Sequence, residues 1–204
     1  PTPGKKNGAG YPGLSKRVTP SIERGFYDKA FSVTLGTLTA GATIRYTTDG
    51  SRPTRTHGTI YSNPLAINGT KTLRMVAYTS ALAVSRIDTH SYIFLADVLK
   101  QNNTPPGYPT NWGTHWTGSK NFTAVADYEM DQRIVGSSTY GPQMPDSLRS
   151  LPSISLVMDI ADLFDTTTGI YSNPRDEGAA SERSMSIEII HPRMGRHTQA
   201  NGGV

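Results

Sequence analysis

Asp127, Glu129 and Asp131 stand at every second position, a spacing that puts three carboxylates on one face of an extended segment. Hard cations are held by such oxygens, so these residues are the candidate metal site, with Ca²⁺ the ion they would take. No other cofactor is expected. The stretch is not an EF-hand loop, because Gln132 stands at the glycine position and Ser138 at the bidentate acid position. The competing reading is a loop of solvated acids. A second acidic set, Asp159, Asp162 and Asp165, is explained by a helix start, with Asp159 as N-cap.

Tyr108, Trp112 and Trp116 are the candidate carbohydrate-binding residues, since flat aromatic faces suit the apolar faces of sugar rings. The alternative is that they pack as a lid beside a neighbouring unit. No spacing points to catalysis. His57, His90, His115, His191 and His197 show no zinc-hydrolase pattern, no G-x-S-x-G elbow exists, and no carboxylate pair is singled out for glycoside hydrolysis. A literal G-x-G-x-x-G spans Gly8 to Gly13, but neither a strand before it nor a helix after it is expected, and Pro12 opposes a helix. The chain reads as a non-enzyme.

The composition narrows the class. Gly 20, Pro 14 and 35% apolar residues argue against a helical bundle or coiled coil. No run reaches the roughly 18 apolar residues of a spanning helix. Zero cysteines exclude disulfides, thiolate metal sites and a cysteine nucleophile. The net charge of +4 divides unevenly: residues 1–95 carry 12 basic against 4 acidic side chains, and 96–204 carry 8 against 12. The basic charges are scattered singly, as at Arg45, Arg52, Arg74 and Arg86, so solvated strand faces are expected and nucleic acid is not. Opposite-sign halves can instead attract each other, within a chain or between copies. Pro1 at the start and Gly202-Gly203-Val204 at the end read as a piece of a longer precursor.

These residues must be positioned by short strands. Phe31–Leu35, Ile44–Thr47, Leu73–Thr79 and Ile87–Phe94 alternate apolar with polar, which predicts one side chain in the core and the next in water. Thr39-Ala-Gly41, Asp49-Gly50-Ser51-Arg52-Pro53, Asn63-Pro64 and Asn68-Gly69 mark the turns between them. In the Asp-Gly and Asn-Gly pairs glycine supplies positive φ. Strands recurring about every ten residues predict a β-sandwich. Residues 1–17, Gly/Pro-rich and aperiodic, are expected to be an extended arm, which could add a strand to the open edge of a neighbouring subunit.

The string Thr43-Ile-Arg-Tyr-Thr-Thr-Asp-Gly-Ser-Arg-Pro-Thr54, with Tyr61, Pro64-Leu65 and Thr72-Leu-Arg74, resembles the immunoglobulin-like module at the C-terminus of chitobiases and β-hexosaminidases. Related copies occur as fibronectin-III-associated domains of bacterial surface proteins. The resemblance covers roughly 18–95 and implies an immunoglobulin-like β-sandwich. Within the motif Asp49 caps turn amides, Gly50 takes the positive φ and Pro53 ends the strand, a structural turn rather than a ligand site.

Beyond it a smaller mixed β/α region is expected over 96–204. Pro145–Leu151 reads as a short helix, Ile154–Met158 as a strand, Ile160–Phe164 as a helix and Met185–Ile190 as a strand. The order Leu151–Asp159, Asp162-Leu-Phe164, Gly169-Ile-Tyr171 with Asn173-Pro174, and Glu182-Arg183 followed by Ser186-Ile-Glu188 resembles the opening segment of CotH kinase-like bacterial surface proteins. The lysine–glutamate pair and metal-binding loops that phosphoryl transfer requires are missing. The expectation is therefore a mostly β, non-catalytic module, secreted or on a bacterial cell surface, serving assembly or adhesion. Its partners would be other protein chains, including copies of itself, or polysaccharide. The alternatives are a carbohydrate-binding accessory module and an N-terminal fragment of a CotH-like kinase.

Overall fold

The structure, a computed structural model, describes residues 10–117, 120–192 and 197–204, with the side chains of 115–117 excepted. Residues 1–9 of the expected arm lie outside this range. The strands of the first part are β1 (Val18–Pro20), β2 (Gly25–Phe26), β3 (Phe31–Val33), β4 (Leu35–Thr37), β5 (Thr43–Thr47), β6 (Thr59–Ile60), β7 (Leu65–Ile67), β8 (Lys71–Tyr78) and β9 (Asp88–Ile93). A five-stranded sheet in the order β2-β9-β8-β5-β6 faces two small antiparallel pairs, β1-β4 and β3-β7. Val18, Val33, Leu35, Ile44, Ile67, Leu73, Met75, Tyr92 and Phe94 interdigitate between the layers. Burying each large side chain of this kind contributes about 1.5–3 kcal/mol. This is the expected β-sandwich.

Turn chemistry sets the strand order. Asp49 Oδ1 accepts the Ser51 N–H at 3.0 Å, and Gly50 at φ +84° takes the left-handed conformation that a β-carbon resists. Asn68-Gly69 works differently from expectation. Gly69 does not use positive φ; a β-carbon there would fall 2.8 Å from Asp97 Oδ2, the oxygen that accepts the Thr70 N–H. Close approach, not backbone sign, is what a side chain there would meet, and it would push the Asp97 carboxylate from the Thr70 N–H.

A short helix α1 (Leu95–Val98) leads to the hairpin β10 (Asn111–Thr117) and β11 (Lys120–Val125). This hairpin was not anticipated within the turn-rich aromatic stretch. Its register shifts between Asn111 and Thr114, where Gly113 has φ +87°, and such a bulge breaks the alternation that would announce a strand. There follow α2 (Gln132–Val135), a 3₁₀ turn at Gly141–Gln143, α3 (Met144–Ser150), β12 (Ser153–Val157), α4 (Ile160–Phe164), β13 (Ser184–Ile190) and β14 (His197–Gly203). β12, β13 and β14 form an antiparallel sheet in that order. The chain is thus mostly β, a sandwich followed by a smaller mixed region. Among the described residues no helix is long and apolar enough to cross a membrane.

The described part of the arm, residues 10–17, pairs with its own sandwich. Leu14 bridges Ala83, with Ser15 N–H donating to Ala83 O and Ala83 N–H to Gly13 O, both at 2.9 Å. Tyr11 stacks on the Arg55 guanidinium, 4.9 Å from the ring centroid, which adds a cation–π contact to the pairing.

Candidate functional site

The expected exposure of alternate residues fails on β8 and β9. Arg74, Val76, Thr89 and Ser91 are all buried, because the three-stranded sheet covers that face. Its register puts Ser155 opposite Glu188 and Val157 opposite Ser186, then Glu188 opposite Gln199 and Ser186 opposite Asn201. Directly opposite residues share a face. The face turned to the sandwich is therefore largely polar, and short hydroxyls mesh across it.

Glu188, 0% exposed, is the centre of this seam. Oε1 accepts the Ser91 N–H at 3.1 Å and Oε2 accepts the Ser91 hydroxyl at 2.5 Å. Ser91 Oγ also meets Ser155 Oγ at 2.7 Å. Arg24 Nε lies 3.0 Å from Oε1 without aiming its N–H at that oxygen, so the two form a charge pair rather than an aligned hydrogen bond. Arg24 Nη2 donates to Thr89 O at 2.9 Å. Burial pushes the Glu188 carboxyl up, against the opposing pull of Ser91 and Arg24. A second thread runs from Thr89 Oγ1 to Ser186 Oγ at 2.8 Å, on to Asn201 Oδ1 at 2.6 Å, and from Asn201 Nδ2 to Ile87 O at 2.9 Å.

His90 borders the same seam. Its Nδ1 accepts the Arg24 backbone N–H at 3.2 Å, which requires the neutral ring. Burial, then the charges of Arg24, Arg17 and His197, lower its pKa to about 3. No signal in the sequence singled out Glu188, Ser91, Arg24 or His90 as a group. The usable clue is the kind of polar residue: Thr89, Ser91, Ser155 and Ser186 alternate as small hydroxyls, where a solvated strand face carries long charged chains.

The opposite face of this sheet is apolar and open. Ile154, Leu156 and Ile189 are 67%, 61% and 37% exposed. Ile154 stands opposite Ile189, and Leu156 opposite Ile187. The amphipathicity is inverted, polar inward and apolar outward.

The turn around Asp49 lines a cleft of about 1020 Å³ together with His57, Tyr108, Asp159 and Asp162. Asp159 stands at the N-cap position of α4 but gives the helix no side-chain cap; its Oδ1 accepts the Arg52 N–H at 2.8 Å and ties the turn to the mixed region. Pro53 is buried in the same turn. Ser51 Oγ donates to Asp49 Oδ1 at 2.6 Å and lies 2.9 Å from His57 Nε2. The residue types are those of a nucleophile triad, but the acid holds the serine rather than the far nitrogen of the histidine, so no base is oriented.

Tyr108 and Trp112 meet in an aromatic cluster with Tyr128, Phe164 and Tyr171. Trp112 lies edge-on to Tyr128 and Tyr171 at 5.8 and 5.3 Å, and Tyr108 edge-on to Tyr128 at 5.4 Å. Trp112 Nε1 donates to Tyr128 Oη at 3.1 Å. Tyr108 is half-exposed. The Trp116 side chain lies outside the described residues. Asp127, Glu129 and Asp131 are all exposed. Asp131 Oδ1 accepts the Arg133 N–H at 2.8 Å as the cap of α2, and its Oδ2 pairs with Arg133 Nη2 at 2.7 Å. Among the described residues no group of three or more His, Cys, Asp or Glu is arranged to hold a metal ion.

Fold and seam together define a sandwich module with a mixed β/α unit clamped to one sheet face. Residues 33–92, from the end of β3 into β9, match the family model described as "Fn3 associated", as the resemblance of the first part implied. The match stops short of the mixed region, and the comparisons lend no support to the CotH resemblance there. No curated protein and no solved structure matches the chain significantly.

Proposed function

We propose that this chain is a non-catalytic structural module of a secreted or cell-surface protein, acting in assembly or adhesion by docking to other protein chains. One observation carries the reading: the three-stranded sheet turns Ile154, Leu156 and Ile189 outward. Leaving an apolar sheet face in water forgoes about 25 cal/mol for each Å² that a partner would cover. The buried polar groups support the same reading, because Glu188 is bonded to Ser91 and paired with Arg24, and His90 accepts the Arg24 N–H, all inside the seam. An accessory role beside a glycosidase domain fits the family match over 33–92.

Sedimentation equilibrium of the intact chain and of Ile154→Lys tests it. Self-association that rises with concentration and is lost in the variant supports docking through this face. A chain that remains monomeric at every concentration, and whose Ile154 and Leu156 amides exchange freely in the presence of the source organism's surface extract, ends the proposal.

Carbohydrate binding is the second reading, favoured by half-exposed Tyr108 on the wall of a cleft that also holds Asp159 and Asp162. An aromatic face beside carboxylates suits a sugar ring and its hydroxyls. Tryptophan fluorescence titration with oligosaccharides, repeated on Tyr108→Ala, separates it from the first.

A further inference from the structure

A second cleft, of about 630 Å³, opens along the same seam and is walled by Arg17, Arg52, Arg74 and Arg86 over a floor that includes Met185 and Asn201. We propose that it is an oxyanion-binding site, taking a sulfate, phosphate or carboxylate group, either free in solution or carried on a polysaccharide. The volume is in the range of small-ligand sites. Asp and Glu are absent from the described residues that line it.

The four guanidinium groups differ in how far the protein already uses them. Arg17 pairs with buried Asp88 and donates to Gln199 Oε1 at 3.1 Å. Arg74, 2% exposed, donates through Nη1 to Gly50 O at 2.6 Å, while its buried Nε finds no acceptor among the described residues. Asp159, Asp162 and Asp49 act on Arg74 from the neighbouring cleft, and Arg52 opposes it with like charge. Arg52 engages the protein through its backbone N–H, and Arg86 through its carbonyl. For neither is there a side-chain acceptor among the described residues.

Arginines drawn from four separate stretches of chain repel one another in a partly desolvated cleft. An anion held by several of their planar forks at once removes that repulsion and adds charge-assisted hydrogen bonds. The inference is independent of the assembly proposal, since Ile154, Leu156 and Ile189 do not line this cleft.

Calorimetric titration of the full chain tests it, with sodium sulfate and sodium phosphate against ionic-strength-matched chloride, and with a sulfated and a uronic disaccharide against their neutral parents. Arg52→Gln and Arg86→Gln are compared with Arg133→Gln, a surface control. Neither Arg52 nor Arg86 supports the fold through its side chain, and thermal unfolding confirms that the variants are folded. The expected result is binding of at least one oxyanion beyond chloride or the neutral parent, weakened about tenfold or more in Arg52→Gln and Arg86→Gln and unchanged in Arg133→Gln. Binding by the inorganic ions identifies a free anion; binding by the disaccharides alone identifies a polymer substituent. Absence of binding in every arm, or an equal loss in the Arg133 control, overturns the proposal.

Discussion

Glu188 and Ser91, 97 positions apart, are joined by two hydrogen bonds, one from the Ser91 amide and one from its hydroxyl, each to a different carboxylate oxygen. That pairing fastens the mixed region to the sandwich. Ser91→Ala removes the hydroxyl half and should cost about 1–3 kcal/mol. Glu188→Ala leaves Arg24 buried without its counter-charge, at about 3–5 kcal/mol. The double variant should lose less than the sum, because the two residues share one network. Urea unfolding midpoints measure all three, and strict additivity would refute the coupling.

Acid should weaken the fold through His90. Its pKa falls from 6.5 to about 3 on folding, so between those values the unfolded chain binds a proton that the folded chain refuses. This contribution is complete above pH 6.5 and is lost as the pH drops toward 3, at a slope of up to ~1.4 kcal/mol per pH unit. Glu188 works against it: its carboxyl is raised, so it favours the folded state increasingly as the pH falls. His90→Gln cannot take up the proton but can still accept the Arg24 N–H. Its stability profile below pH 6.5 should be flatter than that of the parent, and parallel profiles from thermal unfolding would refute the assignment.

Gly50→Ala puts a β-carbon at φ +84°, 3.1 Å from Met158 O. Strain of this type costs about 1–2 kcal/mol, and the turn would also be pushed from the Asp159 carboxylate that holds Arg52. Gly36→Ala, with open space around it, serves as the comparison. Equal unfolding midpoints for the two variants would show that the turn does not need its glycine.

Leu156→Lys should change stability by no more than about 0.5 kcal/mol, since Leu156 is 61% exposed. Val157→Lys, one position along and 6% exposed, should unfold the small sheet. Circular dichroism melts of the pair report which face of β12 is buried.

Calcium at the Asp127–Glu129–Asp131 face would have to displace Arg133, whose guanidinium holds Asp131 and keeps its carboxyl below the usual carboxylate range. Arg133→Gln should then tighten Ca²⁺ binding measured by calorimetry. If neither protein gives a binding heat, the face is a solvated acidic loop.

Local chemistry carried most of the first part. The alternation in Ile44–Thr47 and Leu73–Thr79 requires a pleated strand with one apolar face, and Asp49-Gly50 specifies its turn through a side-chain acceptor and a positive φ. These are interactions between near neighbours, so the chain announces them. For the same reason α3, β12, α4 and β13 lie within a few residues of where their patterns put them.

What a strand's second face meets is not a local property. Thr89 and Ser91 read as solvent-facing, and only the docking of β13 makes them buried partners of Ser186 and Glu188. Asp159 reads as a helix cap, and only the approach of the Asp49 turn turns its carboxylate to Arg52 instead. The four arginines of the cleft are scattered singly along the chain, and the seam gathers them. Period and turn type are set within a few residues, but the partner of a side chain is set by which distant segment offers the complementary group, and that depends on how the whole chain packs.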